Sequence, residues 1–280
     1  MKIYFPNDSR TPIGGGWTFL TNITKYISTI DDVQVVKTDR EADIIFICGA
    51  TMIKGEKLKQ WKEQGKKIVL RVDGIPKDSR NRGCGVSRLR NCADNADLVI
   101  FQSEWSKDEV GYTIEAKGPV IYNGCDQSIF YPSTAAKPKF NLTYLYVGYR
   151  KDENKRVPEA MYHFARLSRS DPERRLSMVG RFNDDLVKYN FDLCNNEKVK
   201  FLGVMQEREE LADVMRSHQV LLFPSFADAC PNTVVEAISC GMEVQFVNEI
   251  GGTRELLVFE KGFFSLDRMG GDYIEELKKL

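Results

Sequence analysis

One feature limits what this chain can fold into more than any other: an alternation of short apolar runs with longer helical patterns, played through twice. In the first pass, residues 2–5, 33–36, 44–47, 68–70, 98–101 and 120–122 read as strands, with helices over 17–27 and 56–64. In the second, strands are expected at 142–147, 176–179, 199–202, 220–223 and 244–247, with helices over 158–167, 207–215, 231–239 and 273–279. Continuous apolar runs bounded by turns and spaced by helices form parallel sheets covered on both faces. Between the two passes, Tyr131-Pro132-Ser133-Thr134-Ala135-Ala136-Lys137-Pro138 has two prolines, small residues and no periodicity, so it reads as a linker.

A chain of 280 residues is also long enough for two compact units at about 150 residues per domain. The expected class is α/β, with two Rossmann-like domains, 1–133 and 134–280, facing each other across a cleft. Ligands of such sheets lie at the carboxyl ends of the strands, so the turns after strands carry the chemistry.

Composition removes several function classes. Apolar residues make up 42% and charged residues 29%, which builds a core and excludes a disordered or low-complexity scaffold. Lys plus Arg and Asp plus Glu number 40 each, and zero formal charge disfavours a nucleic-acid binder. Seven cysteines without a C-x-x-C pair argue against a disulfide framework or a zinc ribbon and fit a reducing, cytoplasmic compartment. No run approaches the roughly 18 apolar residues of a membrane span. The first ten residues are charged and proline-broken rather than a signal segment, so a soluble chain is expected.

Three turns stand out. Gly14-Gly15-Gly16 follows the first strand and opens a helix, so it is either an anion-accommodating loop or a flexible turn. Residues 148–156, Gly-Tyr-Arg-Lys-Asp-Glu-Asn-Lys-Arg, follow the first strand of the second half and place Arg150, Lys151, Lys155 and Arg156 where a phosphate-rich ligand could bind; a solvated turn is the alternative. Residues 223–237 run from a strand through Asp228, Ala229, Cys230, Pro231 and Asn232 into a helix that carries Glu236. That helix start and its two carboxylates could address one ligand, or form an ordinary capped helix. Neither a dinucleotide fingerprint nor a P-loop is present, and there is no G-x-S-x-G elbow and no D-x-D. His163 and His218, the two histidines, lie in structural contexts, so a metal site is not expected.

The segment from Pro224-Ser225 through Glu236-Ala237 to Cys240-Gly241 resembles the donor-site signature of retaining glycosyltransferases of family 4, which have the GT-B fold. The resemblance extends to Gly14-Gly15-Gly16, to Ile121-Tyr122-Asn123-Gly124-Cys125-Asp126 with Phe130 and Pro132, to Val147-Gly148 with the following cations, and to Gly251-Gly252-Thr253-Arg254-Glu255-Leu256. It implies transfer of a hexose from a GDP-mannose or UDP-glucose type of donor to a hydroxyl of a glycan, lipid-linked or protein-linked acceptor. Anomeric configuration is retained, and no metal or other cofactor is needed.

By position, the resemblance assigns Arg150 and Lys155 to the diphosphate, with Arg156 competing for the second place. Glu236 falls to the ribose hydroxyls, Asp228 to the donor sugar, and the backbone around residues 229–232 to the sugar or phosphates. Asp228 replaces the usual glutamate. Asp73, in Arg71-Val72-Asp73-Gly74, stands where many members carry a histidine; it contacts the sugar, orients the acceptor, or only caps the turn. The long final helix that usually crosses back to the first domain is not expected. Other readings are a degenerate nucleotide-sugar binder, an epimerase of the same fold, and more remotely a nicotinamide oxidoreductase. Six lysines against two glutamates over residues 54–67, and Lys77, Arg80, Arg82, Arg88 and Arg90 against Asp78, leave a peripheral membrane contact open beside a solvated face. A homodimer is likewise left open.

Overall fold

The computed structural model describes residues 1–6, 14–50, 53–74, 85–134, 143–149, 156–181, 197–246 and 250–280, with only the backbone of 143–149 and 181. It contains two compact units, one of Met1–Gly124 with Phe263–Leu280 and the other of Cys125–Gly262.

The first unit is built on a five-stranded parallel sheet in the order β2-β1-β3-β4-β5. The strands are β1 (Lys2–Tyr4), β2 (Gln34–Val35), β3 (Ile44–Ile47), β4 (Lys67–Val72) and β5 (Leu98–Phe101). Side chains alternate across a strand. Ile44 and Phe46 therefore enter one core with Phe19, Ile23 and Ile27 of α1 (Gly15–Ile27), and Ile45 and Ile47 enter another with Leu58 and Trp61 of α2 (Gly55–Glu63). α3 (Gly85–Asn95) joins the second core through Leu89 and Cys92. A π-helical turn, Ser106–Val110, runs into the short α4 (Gly111–Ile114). The strand expected at 120–122 is reduced to one bridge, Phe101 to Val120.

The second unit has a parallel sheet in the order β10-β9-β6-β7-β8. Its strands are β6 (Thr143–Tyr149), β7 (Arg175–Arg181), β8 (Val199–Gly203), β9 (Val220–Phe223) and β10 (Glu243–Phe246). Helices α5 (Val157–Ser170), α6 (Arg208–Ser217), α7 (Asn232–Ser239) and the short α8 (Thr253–Leu256) complete it. Ala160, Met161 and Phe164 of α5 pack on Leu176, Met178, Val220 and Leu222.

Two features differ from the sequence reading. The division falls after Gly124 rather than at residue 133, because the next residues are tied to the second unit: Arg216 Nη1 donates to Ile129 O (2.7 Å), and Cys125 Sγ lies 3.2 Å from Ser239 Oγ. The final helix, expected over 273–279 and without a return to the first domain, is α9 (Leu266–Leu277), and it belongs to the first unit. α9 runs through Gly270-Gly271. A Cβ on Gly270 would stand 2.1 Å from the Tyr26 ring of α1, so the missing side chain is what lets the two helices meet. Ser265 caps the helix, accepting from the Arg268 N–H at 3.1 Å.

Candidate functional site

In the second unit, taken in sequence order, the strands are arranged 3-2-1-4-5 (read from β8), so the winding reverses between β6 and β9. These two are direct neighbours, with Tyr144 opposite Val220 and Leu145 opposite Leu221. A reversal of this kind opens a crevice beyond the carboxyl ends of the two strands, the usual ligand position of such sheets. The chain leaving β6 continues into the cation-rich stretch, and the chain leaving β9 continues into residues 224–231. Arg150 and Lys155 lie outside the described residues.

The turn after β9 is held from one side by backbone. Ala227 N–H donates to Ile250 O at 3.0 Å, and Gly252 N–H to Asp228 O at 2.9 Å. Gly251 has φ +124°, and a Cβ there would come within 2.8 Å of Asp228 O, so both its conformation and the space demand glycine. Asp228 is half-buried, whereas Ala229 and Cys230 bury their side chains. Pro231 ends up as the residue before α7 rather than inside it; its carbonyl accepts from Val234 N–H at 3.0 Å, and no side chain caps the helix. Asn232 is the first helical residue.

Glu236 lies one turn further in and is 2% exposed. Its Oε1 accepts a hydrogen bond from Arg208 Nη2 at the start of α6, and the Arg208 guanidinium lies 4.8 Å from the ring of Phe130. Burial pushes the Glu236 pKa up, and the Arg208 charge and hydrogen bond oppose that. Arg156, left-handed at φ +48°, precedes α5; its guanidinium lies 5.3 Å from the Phe226 ring and 3.6 Å from Glu159. It is therefore placed beside the turn that follows β9.

The first unit holds a second cluster, at the carboxyl end of β4. Arg71 is 2% exposed and donates in four directions: Nε to Tyr273 Oη (3.2 Å), Nη2 to Gln102 Oε1 (2.5 Å) and Asn123 Oδ1 (2.8 Å), and Nη1 to Asp73 Oδ1. Its guanidinium lies 3.8 Å from the Phe19 ring. Gln102 Nε2 adds a bond to Asp73 Oδ1 at 2.9 Å, so a side chain that is still 48% exposed is held by two donors. Asp73 is thus fastened to a buried arginine. One turn before Phe19, the run Gly14, Gly15 and Gly16 opens α1 with Gly14 at φ +118° and no side-chain cap. Sequence reasoning missed Gln102, Tyr273 and Arg208 as site residues, and it named Asn123 and Phe130 only as members of a resembling segment. Arg71 had entered only as part of the Arg71-Val72-Asp73-Gly74 stretch; a charge inside an apolar strand, a position that demands partners, is the signal that could have found its role.

The other residues singled out have structural partners. His218 Nδ1 lies 2.7 Å from Val214 O and its Nε2 2.8 Å from Ser177 Oγ, while His163 Nε2 meets Gln245 at 3.0 Å. Burial pushes the Cys48 thiol up to about 12, as suits a buried apolar role. Four lysines of the 54–67 stretch are engaged: Lys57 with Asp39, Lys59 with Glu63, Lys67 with Asp97, and Lys66 with the carbonyls of Arg40 and Ala42. Among the described residues, no helix is long and apolar enough to cross a membrane.

Residues 131–268 match the model of the family Glycosyl transferases group 1. The parallel α/β architecture is the one found in GT-B structures. HepE of Anabaena in complex with UDP superimposes with a TM-score of 0.78 at 17% identity, covering 100% of both chains. The HepE complex with UDP-glucose gives 0.74 at 17% identity, again over 100% of both. Sucrose synthase 5 of Arabidopsis thaliana is 24% identical over 185 residues, which are 63% of this chain and 20% of that protein. The chain thus matches about a fifth of the length of that curated relative.

Proposed function

We propose that this chain is a retaining glycosyltransferase of family 4 that moves a hexose from a nucleoside-diphosphate sugar, with uridine as the base, to an acceptor hydroxyl. The observation that carries the reading is the reversal of strand order between β6 and β9, with the turn of Asp228 and the buried Glu236 directly after β9. The HepE complexes with UDP and UDP-glucose support the choice of uridine.

In this reading Arg150 and Lys155, with Arg156 beside Phe226, take up charge as the bond between the anomeric carbon and the diphosphate oxygen breaks. The acceptor oxygen bonds to the same face of that carbon, and its proton passes to the departing diphosphate. Cations fixed in place before the reaction stabilise the developing charge with little reorganisation. A cation about 4 Å from a phosphate oxygen gains roughly 4 kcal/mol at an effective dielectric near 20. Glu236 receives the ribose hydroxyls, the α7 start and Asp228 address the phosphates and sugar, and Asp73, held by Arg71 and Gln102, orients the acceptor. No divalent ion takes part.

A thermal-shift series of nucleotide sugars, followed by product analysis in excess chelator, tests this. UDP-glucose is expected to raise the melting temperature by mass action and to be turned over with the anomeric configuration kept. Arg150→Ala is expected to lower turnover by about 10² to 10³, as loss of one oxyanion donor does. Binding without turnover on any acceptor would favour a degenerate nucleotide-sugar binder. An inverted product, or activity abolished by chelator, would overturn the mechanism.

A further inference from the structure

The Arg208–Glu236 pair combines a carboxylate that is 3% exposed with a guanidinium that is 38% exposed. The cation forms the outer part of the pair and the carboxylate the inner part. Arg208 is fixed from below: it lies over Phe130, itself 2% exposed, whose N–H donates to Asp126 O at 2.8 Å. Its bond to Glu236 uses Oε1. A carboxylate is a full acceptor only while ionised, and an isolated buried one neutralises itself instead.

We infer that Arg208 is a positioning residue for the nucleotide ribose: by holding Oε1 it keeps Glu236 ionised and leaves Oε2 to accept from a ribose hydroxyl. The inference rests on the donor-site reading above and extends it to a residue outside the donor signature. Among the described residues, the titratable groups facing Glu236 are Arg208 from α6 and the Cys125 thiol, with Cys240 next to Cys125. Burial pushes Cys125 up to about 12, so it stays neutral and Arg208 supplies the compensating charge.

The test is calorimetric titration of the parent, Arg208→Gln and Arg208→Lys with UDP and 2′-deoxy-UDP, at about pH 6 and about pH 8. The quantity read is the ratio of the two affinities, in which titration of the diphosphate itself cancels. The parent is expected to prefer UDP by about 10-fold to 100-fold at both pH values, as a hydrogen bond to a charged group implies. In Arg208→Gln the preference should fall to about threefold or less at the lower pH and recover in part at the higher. Arg208→Lys, which keeps the charge, should retain most of it.

An Arg208→Gln protein that weakens both nucleotides equally and keeps the parental ratio would overturn the inference, since loss of packing alone gives that result. Should that variant fail to fold, Glu236→Gln and the double variant Glu236→Gln/Arg208→Gln leave no buried charge and can be compared instead. Equal ratios in those two support the inference, and a further drop in the double variant overturns it. A parent that binds neither UDP nor GDP overturns the donor-site reading itself. Nucleotide binding with an undisturbed ratio overturns the role of Arg208 alone.

Discussion

Among the described residues, the most deeply buried charge is a cation in one unit and an anion in the other. In the first, the buried group is Arg71, and its charged partner Asp73 is half-exposed; in the second, the buried group is Glu236, and its charged partner Arg208 is half-exposed. The surroundings differ accordingly. Arg71 cannot shed its proton, and three neutral acceptors, Gln102, Asn123 and Tyr273, share the task with Asp73. Glu236 can neutralise itself, and among the described residues its hydrogen-bond partner is Arg208. A buried cation has to be satisfied on every side, whereas a buried carboxylate can respond to pH.

The largest effect expected from this contrast is on Arg71. Arg71→Leu strands the carboxylate and three polar side chains and should cost about 3–5 kcal/mol in urea unfolding. A loss under about 1 kcal/mol would mean that water replaces the guanidinium and that the cluster is not a closed network.

The next effect lies in the second unit and depends on pH. Because folding raises the Glu236 pKa, its contribution to stability is complete below the ordinary glutamate value of 4.5 and is lost as pH rises through the folded value. Arg208 limits that loss. Arg208→Gln should therefore be less stable than the parent by about 1–3 kcal/mol at about pH 8, with the gap closing on acidification toward 4.5. Urea midpoints across that range check the sign; a gap that widens on acidification contradicts it.

The smallest effect is expected for Tyr273→Phe, which removes one of the acceptors around Arg71 and keeps the ring against Phe19 and Phe46. About 1 kcal/mol is the ordinary worth of such a bond. A cost equal to that of Arg71→Leu would show that the network stands or falls on the hydroxyl.

Strand positions were legible where apolar runs end sharply. Residues 44–47, 98–101 and 220–223 match β3, β5 and β9 residue for residue, because a strand covered on both faces needs every position apolar. Residues 120–122 have the same look but make a single bridge, to Phe101 at the end of β5. The last helix was expected from Tyr273, whereas it starts at Leu266. Its glycines reflect a neighbour, Tyr26, that no local pattern reveals.

The site was legible in the same uneven way. Asp228 and Glu236 sit on one continuous loop and helix, so their spacing announces them. Arg208 stands 28 residues upstream of Glu236 on another helix, and only the sheet's winding brings the two together. Asp73 was noticed as a departure at a strand end. What fastens it, an arginine one pleat earlier with acceptors from Gln102 just after β5, from Asn123 and from α9, required tertiary structure.

The placement of α9 has a consequence for how the protein is made. Phe19 and Phe46 surround Tyr273 at ring distances of 5.2 and 5.7 Å, yet residues 263–280 are translated after the whole second unit. On the ribosome, the first unit therefore emerges with its central aromatic and one of Arg71's acceptors still unsynthesised. Its last packing step waits until the second unit is out, so the unit that begins synthesis first is the one completed last.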